Sequence, residues 1–231
     1  MTAKVVQFNQ IGAVTFVKNR RSKNIKISVK PDRSVRVSFP FYVSASEATQ
    51  FLMKNIDWIT GQQQKLEIKK SAIEVGKFRT KLHTVQITET TENKTKINGS
   101  LIEISLADLN SERSRTYLEN VVVGIYRYEA KKLLPPKLAE LALSHGFQFS
   151  KISIRNNKRN WGSCSSKNNI SLNLQMMKLP DELIDYILLH ELVHTKIKNH
   201  GPGFWQKLDE LTNFKARELS RQVRKYSTYT L

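Results

Sequence analysis

The chain has little of what marks a secreted or a membrane protein. Its 231 residues include one cysteine, Cys164, so no disulfide can form within the chain. No apolar run reaches the roughly 20 residues that a membrane-spanning helix needs. Polar residues interrupt the stretch from Met1 to Val17, which makes it a poor secretion signal. We therefore expect a cytoplasmic protein with no membrane association.

Acidic residues are also scarce, at 20 against 38 lysines and arginines, which gives a formal net charge of +18. The hydrophobic fraction of 39% is that of an ordinary globular protein. Basic residues concentrate at 18–23, 155–159 and 215–225. Such a charge is typical either of a solvated basic surface or of a protein attracted to nucleic acid or to an acidic partner. No known nucleic-acid-binding motif is present, so charge alone predicts only non-specific binding.

Histidine is rare too, yet three of the five histidines fall in one short stretch, His190-Glu191-Leu192-Val193-His194 followed by His200. Residues four apart share one face of a helix, so His190 and His194 can direct their imidazoles to one point. The surrounding segment 183–197 is apolar almost all round, which predicts a buried helix. Buried imidazoles and a buried carboxylate need a partner, and Zn²⁺ with its bound water supplies one. The motif therefore predicts a zinc hydrolase in which Glu191 takes the water's proton.

The third metal ligand is less directly determined by the sequence. His200 stands at the spacing that metzincin proteases use, but Ile197 occupies the position of their turn-forming glycine. The chain would have to turn at 198–199, where an asparagine tolerates the left-handed conformation. The rivals are downstream glutamates, as in thermolysin-like enzymes, with Glu210 and Glu218 as candidates. We favour His200, because it needs no long return of the chain and imidazole suits zinc.

The pattern along the chain predicts an α+β protein with a β-rich N-terminal half. Period-two alternation indicates strands within 14–39 and 73–106, with a turn at Pro31-Asp32-Arg33 and a hairpin at Asn98-Gly99. A single helix is expected at about 45–69, capped by Ser44 or Ser46. From Ser111 the pattern becomes helical, so we expect two domains, at 1–110 and 111–231.

The second half should carry the histidine helix on a small mixed sheet. A long helix from about residue 111 should stop at Pro135-Pro136, and a second should run from 136 to Gly146. Strands are expected at 150–155 and 169–174, the histidine helix should begin at Pro180-Asp181, and helices should follow the break at 201–203. No internal repeat is evident.

The strand just before the histidine helix is a candidate for binding substrate. A peptide can add to a strand edge through main-chain hydrogen bonds, so Ser171 and Asn173 are predicted substrate-binding residues. Trp161 is interpreted as a packing residue, because a large aromatic side chain mostly buries area. Cys164 is interpreted as a small buried residue, although its thiolate could bind the metal and block it. Phe204 and Trp205 should be core residues that support the third-ligand loop.

Several of these motifs together resemble the YgjP-like family of predicted metal-dependent hydrolases. The shared sequences, in order, are Trp161-Gly162-Ser163-Cys164-Ser165, Ile170-Ser171-Leu172-Asn173, Ile184-Asp185-Tyr186, His190-Glu191-Leu192-Val193-His194, Asn199-His200 and Phe204-Trp205. The resemblance covers roughly the last 120 residues closely and the front half more loosely. Gly201 departs from the serine that the family often has.

The resemblance implies a zincin-like metallopeptidase domain at 111–231, with His190, His194 and His200 as metal ligands and Glu191 as the catalytic residue. The chain is more distantly similar to SprT-like proteases, some of which act on DNA-bound proteins. The leading expectation is thus a zinc metallopeptidase with protein or peptide substrates. The alternatives are a basic nucleic-acid-associated zinc protein and a metal-dependent hydrolase of non-peptide substrates. The sequence does not indicate an oligomeric state.

Overall fold

The computed structural model describes residues 3–30, 32–69 and 73–230, and the chain divides into two compact units, Met1–Ser71 and Ala72–Leu231. The described residues form three sheets and six α-helices, which confirms the predicted α+β class. The boundary expected at 110/111 lies inside the second unit. The reason is that the strands of 76–106 share one hydrophobic core with the helices that follow them.

The first unit is a four-stranded sheet covered by two helices. Its elements are β1 (Ala3–Phe8), β2 (Gly12–Lys18), β3 (Lys26–Val29), β4 (Val35–Phe39), α1 (Ala45–Met53) and α2 (Ile56–Lys69). The strand order is β1-β2-β4-β3, with β2 and β4 parallel and the outer pairs antiparallel. Val35, Val37 and Phe39 alternate into a core shared with Leu52 and Ile59 of the helices.

The helix expected at 45–69 is two helices, so that prediction is wrong in its continuity. Asn55 interrupts it, because its side-chain amide donates to the Phe51 carbonyl at 2.7 Å while its main-chain amide bonds to the Leu52 carbonyl instead. The predicted N-cap is confirmed at Ser44, whose hydroxyl accepts from the Glu47 amide while Glu47 accepts from the Ser44 amide. Pro31, in the predicted turn between β3 and β4, lies outside the described residues.

The second unit begins with a sheet of β5 (Gly76–Arg79), β6 (Thr84–Glu89), β7 (Lys94–Asn98) and β8 (Leu101–Leu106). Its order, β5-β6-β8-β7, and its parallel and antiparallel pairings repeat those of the first sheet. The sequence shows no matching repeat, because the same strand order requires a similar pattern of buried and exposed residues but not the same amino acids. The Asn98-Gly99 hairpin is confirmed, and Gly99 has the positive φ of +59° that this turn requires.

A single helix of 33 residues, α3 (Glu112–Ser144), replaces the two helices expected on either side of Pro135-Pro136. Proline fixes a helical φ but removes a hydrogen-bond donor, so it usually ends a helix. Here the carbonyls of Lys131 and Lys132, which lose their donors, belong to exposed residues that water can reach. Leu134 and Leu138 are both buried in the core, one on each side of the prolines, and hold the helix in line. Gly146 follows the helix with the expected positive φ of +63°.

The remaining elements of the second unit carry the histidine motif. They are β9 (Lys151–Arg155), β10 (Gly162–Cys164), β11 (Asn169–Asn173), a 3₁₀ turn (Leu174–Lys178), α4 (Asp181–Val193), α5 (Pro202–Leu211) and α6 (Ala216–Val223). Helix α4 is buried as predicted. At its exposed side Asp181 pairs with Lys81, and Asp185 pairs with Lys137 of α3 at 2.8 Å. Across the described residues, no helix combines the length and the apolarity that crossing a membrane would take.

Candidate metal centre

Three histidine side chains converge at the end of α4. The Nε2 atom of His200 lies 3.0 Å from Nε2 of His190 and 3.1 Å from Nε2 of His194. Ligand nitrogens about 2.05 Å from a tetrahedral zinc lie about 3.3 Å apart, so these separations fit one metal ion. Among the described residues, these three are the group of histidine, cysteine and acidic side chains close enough to share one ion.

A hydrogen bond to the main chain sets the orientation of His194. Its Nδ1 lies 3.0 Å from the carbonyl oxygen of Ile197, which can only accept, so Nδ1 carries the proton. The lone pair is then on Nε2, the atom that faces the other two histidines. Ile197 stands where metzincins have glycine, and here its main chain holds a ligand.

Phe204 of α5 forms a platform beneath all three imidazoles. Its ring centre lies 4.8, 4.6 and 4.7 Å from the ring centres of His190, His194 and His200, and its side chain is fully buried. The ring restricts each imidazole by packing, which confirms the supporting role expected for Phe204. Trp205 packs behind it, at 5.6 Å from the Phe204 ring.

The electrostatics of the site favour neutral imidazoles. Burial, together with the neighbouring His194 and His200, lowers the pKa of His190 to about 3. Burial also lowers the pKa of His194, against the opposing effect of its bond to Ile197. Metal ions bind neutral imidazole, so both groups are ready to act as ligands at neutral pH.

Glu191 is buried beside this cluster without a counter-charge. Its Oε2 atom is shielded from solvent and has no hydrogen-bond partner among the described residues. Burial raises the pKa of the carboxyl to about 8. A carboxyl buried without a partner is costly unless it is protonated or faces a cation. The three imidazole nitrogens are placed to hold a metal ion, and the orphaned carboxylate oxygen is buried next to them.

The turn to His200 differs from the expectation in one respect. Neither Lys198 nor Asn199 adopts a positive φ, so the chain turns without a left-handed residue. The ammonium of Lys198 instead anchors the turn, donating to the Ser165 carbonyl at 3.1 Å and to the Asn168 side-chain oxygen.

The rival third ligands do not join the cluster. Glu210 is paired with Lys207 at 2.8 Å, and Glu218 accepts a hydrogen bond from Gln222 within α6. Neither belongs to the group of side chains that can share one ion. The geometry therefore brings together the histidine set that the sequence analysis favoured.

The edge strands of this sheet are β10 and β9, so β11 does not provide the edge expected for substrate. Strand β11 is the central strand, antiparallel to β10 and parallel to β9. Asn173 is fully buried, with its amide donating to the carbonyls of Asn157 and Asn160 and its oxygen accepting from the Gln175 amide. The hydroxyl of Ser171 is also shielded from solvent. The geometry thus gives both residues a position inside the sheet rather than at the edge predicted for substrate.

The hydrogen-bonding groups of β10 that face outward can be identified from its pairing. Trp161 accepts from the Asn173 amide, and the Ser165 amide donates to Asn169, so these two residues bond inward to β11. Bonded and non-bonded pairs alternate in an antiparallel ladder. Gly162 and Cys164 therefore direct their amides and carbonyls to the free edge.

Gly162 contributes to the site through its lack of a side chain. A Cβ at this position would lie 2.6 Å from Oε1 and 2.7 Å from Cγ of Glu191. Sequence reasoning missed this role, although a glycine within a strand pattern is a known signal for a close approach.

Cys164 is placed on β10 outside the histidine cluster. It is half-buried, and burial raises the pKa of its thiol, with a further increase from Glu191 opposed by Lys198. A raised pKa disfavours the thiolate that would compete for a metal. This agrees with the expectation of a small packed residue.

Comparison with family profiles identifies one family for this chain. The sequence profile described as "YgjP-like, metallopeptidase domain" matches residues 23–225. A search of curated proteins returned no match. Among solved structures, the metallopeptidase zymogen of Pyrococcus abyssi abylysin is 27% identical with a TM-score of 0.37, and the match covers 40% of this chain and 94% of that chain. The metallopeptidase zymogen of Methanocaldococcus jannaschii jannalysin is 29% identical with a TM-score of 0.35, covering 39% and 92%.

The profile spans most of the chain, including β10, β11 and the three histidines. A metallopeptidase domain implies a metal ion, and the histidine cluster is placed to hold one. The chain belongs to the YgjP-like family of metallopeptidase domains.

Proposed function

We propose that the protein is a zinc-dependent peptidase in which His190, His194 and His200 hold the metal and Glu191 acts as the general base. The observation that carries the proposal is the convergence of three Nε2 atoms beside a buried carboxylate oxygen with no hydrogen-bond partner among the described residues. Three imidazoles leave a fourth position for water or substrate, whereas structural zinc sites are closed by four protein ligands. This argues for catalysis over a structural role.

The chemistry divides between the metal and the chain. Bound zinc lowers the pKa of a coordinated water to about 7 and polarises a carbonyl oxygen. Glu191 accepts the proton of the attacking water and delivers it to the departing amine. Its burial excludes bulk water from this exchange, and a metal cation beside it would offset the effect of burial and favour the ionised carboxylate that can accept a proton.

The free edge of β10 supports a peptide as the substrate. The outward amides and carbonyls of Gly162 and Cys164 can pair with an extended chain, as in strand addition. Gly162 also contacts Glu191, so a peptide on this edge lies next to the proposed base. A hydrolase of small non-peptide substrates would have no use for such an edge. The substrate role of Ser171 and Asn173 stays a prediction that their burial does not favour.

The test is digestion of a proteome-derived peptide library by the zinc-loaded protein and by Glu191→Gln. We expect cleavage by the first and none above background by the second at equal zinc content. Glu182→Gln, in the exposed first turn of the same helix, is the matched control and should cleave normally. An active Glu191→Gln variant would refute the role of Glu191, and normal cleavage by metal-free protein would refute the whole centre.

A second candidate, nucleic-acid association, has one specific observation in its favour. A cavity of about 710 Å³ in the first unit is lined by Lys18, Asn19, Arg20, Arg21 and Phe41, with no acidic residue. The guanidinium of Arg20 lies 5.2 Å from the centre of the Phe41 ring, and the ammonium of Lys18 lies 5.8 Å from it. Cations beside an aromatic face suit a phosphate backbone with unpaired bases.

The measurement for this candidate is fluorescence anisotropy of a single-stranded DNA probe against salt concentration. The doubly substituted variant Arg20→Gln with Arg21→Gln should bind more weakly and with a shallower salt slope. The doubly substituted variant Lys4→Gln with Lys54→Gln, which removes two positive charges at exposed positions of the same unit, is the control. Absence of binding at about 50 mM salt rejects the candidate.

A further inference from the structure

A cleft of about 240 Å³ opens directly from the proposed metal centre. One wall is α4, which supplies Ile187, His190 and Glu191, and the opposite wall is the end of α6, with Val223 and Arg224. The approach to β10, residues 160–162, closes a third side. Because two of the proposed catalytic side chains line it, any group in this cleft lies beside the reacting bond.

The size of the cleft suits one side chain rather than a whole ligand. Sites that bind complete small molecules usually measure about 300–1,000 Å³, which exceeds this volume. A peptide on the free edge of β10 passes Gly162, which is itself part of the cleft wall. The residue next to the cleaved bond would then direct its side chain into the cleft.

The inner part of the cleft is largely apolar, and its hydroxyl group, that of Tyr186, already has a hydrogen-bond partner within the protein. Ile187, Tyr186 and Val223 are buried. Burial raises the pKa of Tyr186, while its hydrogen bond with Ser220 and the charges of Arg224 and Arg217 act in the opposite direction. The apolar surface of these residues can pack against the methylene groups of a substrate side chain. The Tyr186 hydroxyl is already hydrogen-bonded to Ser220.

The charge of the cleft comes mainly from Arg224. No ion pair involves Arg224 within the described part of the chain, and its side chain is exposed. Arg217 also acts on Tyr186 but is held elsewhere, with its guanidinium 3.7 Å from the centre of the Trp205 ring. Glu191 is the one acidic residue that lines the cleft, and the proposed zinc would balance it. A free guanidinium above an apolar wall is suited to a carboxylate on a short apolar stem.

We infer that this cleft binds the substrate side chain next to the cleaved bond, and that Arg224 makes the enzyme select glutamate there. Aspartate would reach the guanidinium less well, because its single methylene leaves part of the apolar wall uncovered. Lysine would be rejected by like charge. The inference rests on the proposed peptidase function, and it adds the substrate class that this function leaves open.

The experiment uses blocked peptides that differ at one position, with glutamate, glutamine or lysine placed on either side of the cleaved bond. For the zinc-loaded wild type we expect kcat/KM to be at least about tenfold higher for glutamate than for glutamine on one side. Arg224→Met should bring that ratio to about one, and Arg224→Glu should shift preference to lysine. Arg221→Met, one turn away on α6 and outside the cleft, should keep the wild-type ratio.

A binding measurement separates this inference from the proposed function. Calorimetric Kd values of the same peptides for zinc-loaded Glu191→Gln should show the same preference and the same dependence on Arg224. If nothing is cleaved but the Arg224-dependent preference for glutamate remains in binding, the peptidase proposal fails and the subsite stands. Cleavage with no preference for glutamate, or a preference that Arg224→Met retains, overturns the subsite alone.

Discussion

Gly162 faces Glu191 so closely that a Cβ on it would lie 2.6 Å from the carboxylate oxygen Oε1. Gly162 belongs to the edge strand β10, and Glu191 is buried on α4, so the contact joins the proposed substrate edge to the proposed base. The contact includes Cγ and Cδ as well as the oxygen, so the glutamate could not avoid a new methyl group without moving its carboxylate.

The first prediction is that Gly162→Ala lowers kcat by at least about 100-fold, because displacing a positioned base by about 1 Å has an effect of this size. Zinc content should stay at the wild-type level, since the three histidines are not touched. A peptide-hydrolysis assay gives kcat, and metal analysis of the same samples gives the zinc content. Gly203→Ala is the control, because a Cβ there meets nothing within 4 Å. Full activity of Gly162→Ala would show that the carboxylate position is not critical.

The second prediction concerns the platform beneath the histidines. Phe204→Leu should weaken zinc binding about 10- to 100-fold, the range found when groups that orient metal ligands are removed. Competition with a chromophoric chelator measures the affinity. Phe214→Leu, at a side chain that is 83% exposed, should have no effect. Unchanged zinc affinity in Phe204→Leu would mean that the three imidazoles hold their positions without the ring.

The third prediction distinguishes the candidates for the third ligand. His200→Ala should lose zinc on dialysis, whereas Glu210→Gln and Glu218→Gln should each retain one zinc per chain. The reason is that His200 Nε2 lies within 3.1 Å of both other nitrogens, while the two glutamates are bonded elsewhere. Loss of zinc from either glutamate variant, with retention in His200→Ala, would assign the ligand to the glutamate.

The fourth prediction concerns stability away from the site. Glu129 of α3 is fully buried, and its carboxylate accepts hydrogen bonds from the Lys81 and Leu82 amides, from the His83 ring and from the Thr80 hydroxyl. Glu129→Gln replaces one accepting oxygen with a donor, so we expect a loss of about 3 kcal/mol in the free energy of unfolding.

Urea denaturation measures this loss, and Glu140→Gln, exposed on the same helix, is the control with an expected change within about 0.5 kcal/mol. Equal stability of the two variants would mean that the link between α3 and the β5–β6 turn contributes little to the fold.

The convergence of His190 and His194 could be predicted because helix geometry alone determines it. Four residues of helix bring two side chains to one face, wherever that helix lies in the protein. The position of His200 was also predicted from spacing, but what holds it was not. The Ile197 carbonyl bonded to His194 and the Phe204 ring under all three imidazoles depend on how α5 returns to α4.

The features that the sequence did not reveal all depend on contacts between distant segments. Whether β10 or β11 forms the edge is decided by the parallel pairing of β11 with β9, which no local pattern encodes. The continuation of α3 through Pro135 and Pro136 depends on the burial of Leu134 and Leu138 against the core. The role of Gly162 depends on a neighbour 29 positions along the chain, Glu191.

The measurement that tests the central claim most directly is X-ray absorption at the zinc edge of the zinc-loaded protein. The account predicts three imidazole nitrogens at about 2.0–2.1 Å and one light oxygen ligand. In His200→Ala, measured with zinc in excess and without dialysis, it predicts two imidazole nitrogens in place of three. A sulfur ligand at about 2.3 Å, which would have to come from Cys164, or fewer than three imidazoles in the wild type would contradict it.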